Sequence, residues 1–491
     1  MRPSRLCAVL LGAGVTLALG TGLSTANAAV THPTAAATAG TPGSTLASAA
    51  ATWGKAEEVP GTATLNAGGN AVINSVSCAS AGNCGAGGSY TSGAPQAFVA
   101  SETNGTWGKA EEVPGIAALN QGGDAQVSQV SCAPAGNCSA GGFYTDSSGN
   151  DQAYVVNETN GTWGTAKQVP GFPALGGEAS ADVLSCGSAG NCSAGGNYTD
   201  ASGHFQAFVV SEVNGTWGKA TEVPGTATLN QGGDAHLGAV SCASAGNCSA
   251  GGSYFDASGN TQLFVVNEAN GTWGTAEEVP GTAALNHGTI LGTQLFSVSC
   301  ASAGNCATGG YYTDGSGAIQ AFVASETNGT WGAAEQVPGI AALGQGQTLS
   351  VSCASDGNCS AGGNDGGSSG TQAFVVNETN GTWGKAEQVP GVATLNKGGN
   401  ATTDSVSCAS AGNCAAVGSY SAGADNTQAF VVSETNGTWG KAEIVPGTAT
   451  LNKGENAVTS SVSCPSAGNC TAGGSYTDGS FHTQAFVVSE S

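Results

Sequence analysis

Arginine is missing from this 491-residue chain beyond Arg5, and charge of either sign is sparse: 9% of residues are charged, against about 25% in an ordinary domain. Acids outnumber bases 33 to 10, so from residue 6 onward only eight Lys offset the carboxylates. A surface this negative repels phosphate backbones and anionic lipid, which excludes nucleic acid and membrane-surface partners. Helical periodicity is missing too. No 3.6-residue apolar spacing survives the density of Gly, Thr and Ser, so the sequence predicts no helices. No Ser/His/Asp order, phosphate-binding loop or nucleotide fingerprint occurs.

Long apolar runs are also lacking. The one from Leu6 to Leu19 is shorter than the roughly 20 residues of a membrane span and is broken by Gly12 and Gly14. It follows the basic stretch Met1–Arg5 and leads to Ala26-Asn27-Ala28, a small-residue cleavage pattern. Residues 1–28 therefore read as a signal peptide and 29–51 as a flexible Ala/Thr/Ser/Pro-rich leader. The expectation is a secreted protein with no membrane insertion after cleavage. Gly (81) and Pro (15) make up about one-fifth of the chain, below the roughly 25–30% of unstructured low-complexity sequence. The 40% hydrophobic content leaves ample surface for a core.

What is present is a repeat. Trp53, Trp107, Trp163, Trp217, Trp273, Trp331, Trp383 and Trp439 recur every 52 to 58 residues, each in Thr-Trp-Gly, with Val-Pro-Gly following. A Gly/Asn-rich stretch comes next, then two Cys six positions apart, a Gly-rich segment ending in Tyr, a turn, and an apolar run such as Gln206–Glu212. That run is bounded by turn signals and reads as a strand. Asn214-Gly215 reads as a two-residue hairpin turn. The following strand runs from Thr216 to Pro224, which cannot donate to a ladder. Four short strands per unit, eight times over, predict an all-β, eight-bladed β-propeller across 52–491. The orphan strand Thr52–Pro60 is expected to complete the last blade, because the region stops after Gln484–Glu490. An open solenoid would want capping repeats.

Cys7 leaves with the signal peptide, and sixteen Cys remain. An even count in an exported chain implies disulfides. Regular spacing favours pairing within each unit: Cys78–Cys84, Cys132–Cys138, Cys186–Cys192, Cys242–Cys248, Cys300–Cys306, Cys353–Cys359, Cys408–Cys414 and Cys464–Cys470. Zinc sites of this kind use closer pairs and bring two together. Gly-Gly pairs such as Gly141-Gly142 are expected to admit a neighbouring blade's bulky side chain.

The segment Ser101-Glu102-Thr103-Asn104-Gly105-Thr106-Trp107 resembles the Asp-box of sialidase-type β-propellers, Ser-x-Asp-x-Gly-x-Thr-Trp, and recurs in seven hairpins, one residue short and without the Asp. The repeat also looks like those of secreted actinobacterial propeller proteins of unassigned role. The resemblance implies a propeller with this hairpin between third and fourth strands. It does not carry sialidase chemistry over, since that needs a cluster of arginines gripping a carboxylate.

Two faces follow. Cys hairpins and Asn-Gly turns share one and barely vary. Interblade loops and the hairpins between second and third strands share the other and do vary, which is how a rigid scaffold carries specificity. The ligand-face candidates are Asp124, Asp146, Asp151, Asp200, His204, Asp234, His236, Asp256, His287, Asp314, Asp478 and His482. The recurring Asp-x-Ser-Gly could offer calcium oxygens, but one turn supplies too few and the pattern is equally a turn signal, so no cofactor is expected. His204, His236 and His287, in successive blades, would allow a metal or acid–base cluster. The Glu before each hairpin (Glu102, Glu158, Glu212, Glu268, Glu326, Glu378, Glu434, Glu490) and the eight Trp read as structural, because equivalent positions around a ring point apart. The expected function is non-enzymatic, monomeric binding of a neutral glycan or an extracellular protein. The alternatives are a glycan hydrolase or lyase with a site in the central funnel, or a structural adhesive protein. For the enzyme, the deviations to watch are the long loop His287–Gln294 and the short Asn364–Thr371.

Overall fold

The repeat folds as its turn chemistry dictates. In the first blade the innermost strand, Ala71–Ser80, turns at Ala81-Gly82 into a second strand, Asn83–Ser92, and then a third, Ala94–Thr103. Asn104 and Gly105 both take positive φ, 50° and 77°, the left-handed geometry a tight hairpin needs. They deliver an outer strand in two pieces, Thr106–Trp107 and Glu111–Glu112, each antiparallel to the third. The order recurs in eight sheets whose innermost strands begin at Ala71, Ala125, Ala179, Ala235, Gln294, Gln345, Ala401 and Ala457. Blades are numbered one to eight in that order. The computed structural model describes residues 51–133, 137–172, 177–287, 292–367, 370–423 and 426–491. The expected signal peptide and residues 29–50 of the leader lie outside the described residues.

The chain is thus an all-β, eight-bladed β-propeller. Glu57–Glu58 pairs antiparallel with the last blade's third strand, Thr483–Ser489, and Trp53 bridges Glu490. The first strand therefore completes the eighth blade, and no blade keeps an open edge there. All eight disulfides join the two Cys of one unit. The cores lie between blades: Ala97 and Val99 of blade one cluster with Val127, Val130 and Tyr154 of blade two.

Two rings of hydrogen bonds run through every junction. On the inside, each first Cys donates its N–H to the Ser Oγ of the preceding blade's Ser-Cys pair, from Cys132 to Ser77 (2.9 Å) round to Cys78 to Ser463 (2.9 Å). On the outside, the Ala three residues after each Trp donates to the carbonyl of the preceding Val-Pro-Gly proline, from Ala110 to Pro60 (2.7 Å) round to Ala56 to Pro446 (2.7 Å). Buried amide hydrogens must be paired, and this arrangement pairs them across blades.

Two expectations need correction. The outer strand is not continuous from Thr216 to Pro224. It breaks at residues 218–220 because Ala220 N turns away to Pro170 O (2.7 Å) of the neighbouring blade. Nor is the chain free of helix. Single turns follow the Val-Pro-Gly motifs, as in Thr62–Leu65 and Ile116–Leu119, each entered through a left-handed Gly (φ 89° at Gly61) and closed by Asn66 N to Thr62 O at 2.8 Å. Four residues cannot display a 3.6-residue period, so the pattern hid them.

The Gly-Gly pairs divide their labour. A Cβ on Gly87 would lie 2.6 Å from Val127 Cγ1 of the next blade, the expected inter-blade admission. A Cβ on Gly88 would instead lie 1.9 Å from Val72 O on its own blade, where the strand pairing shifts register at Ile73/Ser75. The second glycine thus accommodates a β-bulge.

Candidate functional site

Hydrogen bonds confirm the two faces. Asn104 N donates to Asn83 Oδ1 (3.2 Å) and Gly105 N to Gly82 O (2.9 Å), tying each Asn-Gly turn to its Cys hairpin. Gly68 N donates to Thr91 O (2.7 Å), tying an interblade loop to a second-to-third-strand hairpin on the other face.

On the disulfide face the recurring Glu and Trp form clasps. Glu158 and Trp163 pair across their hairpin and both reach Ser101 of the preceding blade, which donates to Glu158 Oε1 and accepts from Trp163 Nε1 (2.9 Å). Asn157 takes the same place between Glu212 and Trp217, and Ser211 between Glu268 and Trp273. These side chains hold blades together, as expected of framework.

Most candidates on the variable face are also held by the protein. Asp146, Asp200, Asp256, Asp314 and Asp478 each accept backbone N–H bonds two and four residues ahead, such as Ser202 N (2.7 Å) and His204 N (3.0 Å) on Asp200 Oδ1. A Gln Nε2 on the third strand approaches each second oxygen, at 3.1 Å in the case of Gln320 and Asp314. The Ser316 hydroxyl and its neighbours pull Asp314 down to about 2. At Asp200, Asp256 and Asp478 desolvation pushes up, but the donors outweigh it and the carboxyls sit below their ordinary value. The Asp-x-Ser-Gly carboxylates are turn-forming acceptors.

The histidines divide. His204 lies 3.9 Å from Asp200, and His482 likewise from Asp478. Each ring covers a glycine of the following blade, Gly233 and Gly69, both at positive φ. His287 N donates to Thr313 O (3.0 Å) in the loop before blade five. His236 differs: its Nε2 is 2.6 Å from Asp234 Oδ1, and its ring centre lies 5.3 Å from that of Phe205. Asp124 and Asp151 flank Thr145, which donates through Oγ1 to Asp151 (2.8 Å) and through N to Asp124 O (2.7 Å). Burial, then the charge of Asp151, raises the Asp124 carboxyl.

A cluster at the junction of blades three and four breaks the repeat on this face. Phe205 is 40% exposed where the other blades carry Pro95, Asp151, Thr261, Ile319, Thr371, Thr427 and Thr483. On the innermost strand of blade three sits Asp182, which accepts from Ser180 Oγ (2.6 Å) and which burial pushes above the ordinary carboxylate range against the lowering by Ser180 and His236. The equivalent residue in blade seven, directly opposite in the ring, is Asp404, pushed to about 7 by burial. The other blades carry Asn74, Ser128, Gly238, Phe296, Leu349 and Ser460 there. In blade six Asp365 takes the place of the repeat's Tyr; it is fully buried and raised to about 6 by desolvation. Reading the sequence for recurring motifs missed Phe205, Asp182, Asp365 and Asp404. The signal was departure from the repeat.

No family model matches the chain, and no curated protein does. Solved structures that are similar include Sqt1 from Chaetomium thermophilum, at 12% identity and TM-score 0.46 over 85% of this chain and 97% of that one. The fucose-specific lectin from Aleuria aurantia matches at 12% identity and TM-score 0.32, over 63% and 91%. The Hadza microbial sialidase Hz136 matches at 10% identity and TM-score 0.34, over 80% and 66%. Likeness at this level assigns no family, and the propeller rests on the chain's own strand pairing.

Proposed function

We propose that the protein is a secreted, non-enzymatic binding propeller that engages a neutral glycan or a partner protein through its variable face, centred on Phe205 and His236. The observation that supports this is the exposed Phe205 ring beside the His236–Asp234 pair. An aromatic plate flanked by polar groups stacks on an apolar face while fixing orientation by hydrogen bonds. Export accords with eight intra-blade disulfides. Among the described residues no helix is long and apolar enough to cross a membrane. The acidic balance disfavours anionic ligands. One propeller carrying related loops suits weak, multivalent contact.

A second reading, a hydrolase or lyase on the propeller axis, draws on Asp182 and Asp404, since a raised carboxyl suits a general acid. A glycan-array screen with and without EDTA, followed by product analysis, tests both. The expected result is bound neutral glycan without turnover, lost in Phe205→Ala. Released product favours the second reading, and silence a structural role.

A further inference from the structure

On the disulfide face, opposite Phe205, a cleft of about 480 Å³ lies at the seam between blades eight and one. That volume falls within the range of small-molecule sites. Lys55, Glu57, Glu102, Trp107, Ser489 and Glu490 are among its lining residues. At the other seven junctions a Ser or Asn clasps the glutamate of the following blade, as Ser433 clasps Glu490 (2.5 Å). The seam departs from this pattern. Ser489 Oγ lies 3.1 Å from Thr471 Oγ1 within its own blade, a contact Ser211 also makes with Ser193 while clasping Glu268, but Ser489 reaches no glutamate among the described residues.

Glu102 is 6% exposed, and its Oε2 has no hydrogen-bond partner among the described residues. Burial, then the charge of Glu57, raises its carboxyl. A desolvated carboxylate oxygen without a donor is unfavourable, and a charged donor relieves it best. Trp107, its cross-strand partner, supplies an indole, whose ring face attracts cations. Three carboxylates face one Lys in this cleft, so the local field selects positive charge and rejects anions. Glu378 and Glu434 also line clefts between blades with Oε2 unpartnered among the described residues, but each keeps its other oxygen clasped.

We propose that the seam cleft binds a small organic ammonium group, with Glu102 as its counter-ion and Trp107 as its aromatic wall. The site is independent of the variable face, and either can fail without the other.

The test uses the whole chain labelled with ¹⁵N at tryptophan, titrated with tetramethylammonium chloride against sodium chloride at matched ionic strength. Trp107→Phe assigns the indole resonance. The expected result is a saturable shift of the Trp107 resonance with tetramethylammonium alone. Glu102→Gln should weaken binding roughly tenfold, whereas Glu158→Gln, at a clasped junction, should leave it unchanged. Should Glu102→Gln fail to fold by thermal melting, Glu57→Gln, at an exposed position of the same cleft, is expected to weaken binding about threefold. Equal shifts in both salts, or wild-type affinity in the folded Glu102→Gln or Glu57→Gln protein, would overturn the proposal.

Discussion

The backbone N–H of Cys78 donates to Ser463 Oγ at 2.9 Å across 385 residues of sequence. The seven other junctions make the same bond between neighbours in sequence, so the seam is chemically equivalent to the rest of the inner ring. Ring closure therefore needs no special residue, only the return of the chain.

Ser463→Ala should cost about 1–2 kcal/mol, since it strands a buried N–H as well as removing a bond. Ser241→Ala, which frees Cys300 N at an interior junction, should cost a similar amount. Denaturant unfolding of both variants checks this. A seam variant close to wild type beside a damaged interior one would show that the seam is not closed as described.

Gly88→Ala should be far more damaging than Gly105→Ala. The first places a methyl 1.9 Å from Val72 O, and the cost should reach the top of the overpacking range, about 3 kcal/mol. The second meets no atom within 4 Å and bears only the strain of its φ of 77°, about 1 kcal/mol. Comparable melting temperatures for the two would contradict the bulge assignment.

Stability should peak in mildly acidic solution. Burial raises Glu102, Glu158, Glu212, Glu326, Glu378, Glu434 and Glu490 above their ordinary 4.5. A carboxyl with a raised folded-state value binds its proton more tightly when folded. Its contribution is present below about 4.5 and is lost as pH rises through the folded value. The lowered Asp200, Asp256, Asp314 and Asp478 act oppositely, contributing above about 3.8 and losing that as pH falls. The melting temperature by calorimetry should therefore be highest at about pH 4–5. Asp404→Asn should flatten the decline toward neutrality, because burial pushes the Asp404 carboxyl up to about 7. A melting temperature that climbs from pH 4.5 to 7.5 would refute this.

Reduction of the disulfides should lower stability without unlinking the blades. Each closes a loop with a sequence separation of six, worth about 2 kcal/mol in the chain-entropy model. Non-reducing peptide mapping should give only the within-unit pairs.

Much of this architecture is written in the chain itself. Asn104-Gly105, the six-residue Cys spacing and the orphan Trp53 strand are local signals, legible because a turn type or a short loop admits few geometries. The same holds for the division into constant and variable faces, which follows from which loops alternate along a four-stranded blade. The one-turn helices escaped because a period cannot show within a single turn, and the outer-strand break escaped because its cause, Pro170 O, belongs to another blade.

What the tertiary structure alone decided are the contacts between units. Nothing in the local sequence of Ser101 announces that it joins Glu158 to Trp163, or that Ser489 fails to do so for Glu102. The repeating aspartates, which the sequence already offered as turn formers, bond to their own turns, while Phe205, His236 and Asp182 are unrelated in sequence and meet only where two blades join. The physical reason is common to all of them. Turn preferences act over a few residues, whereas burial and hydrogen-bond partnership at a blade junction depend on residues some 55 positions away, which only closure of the ring makes neighbours.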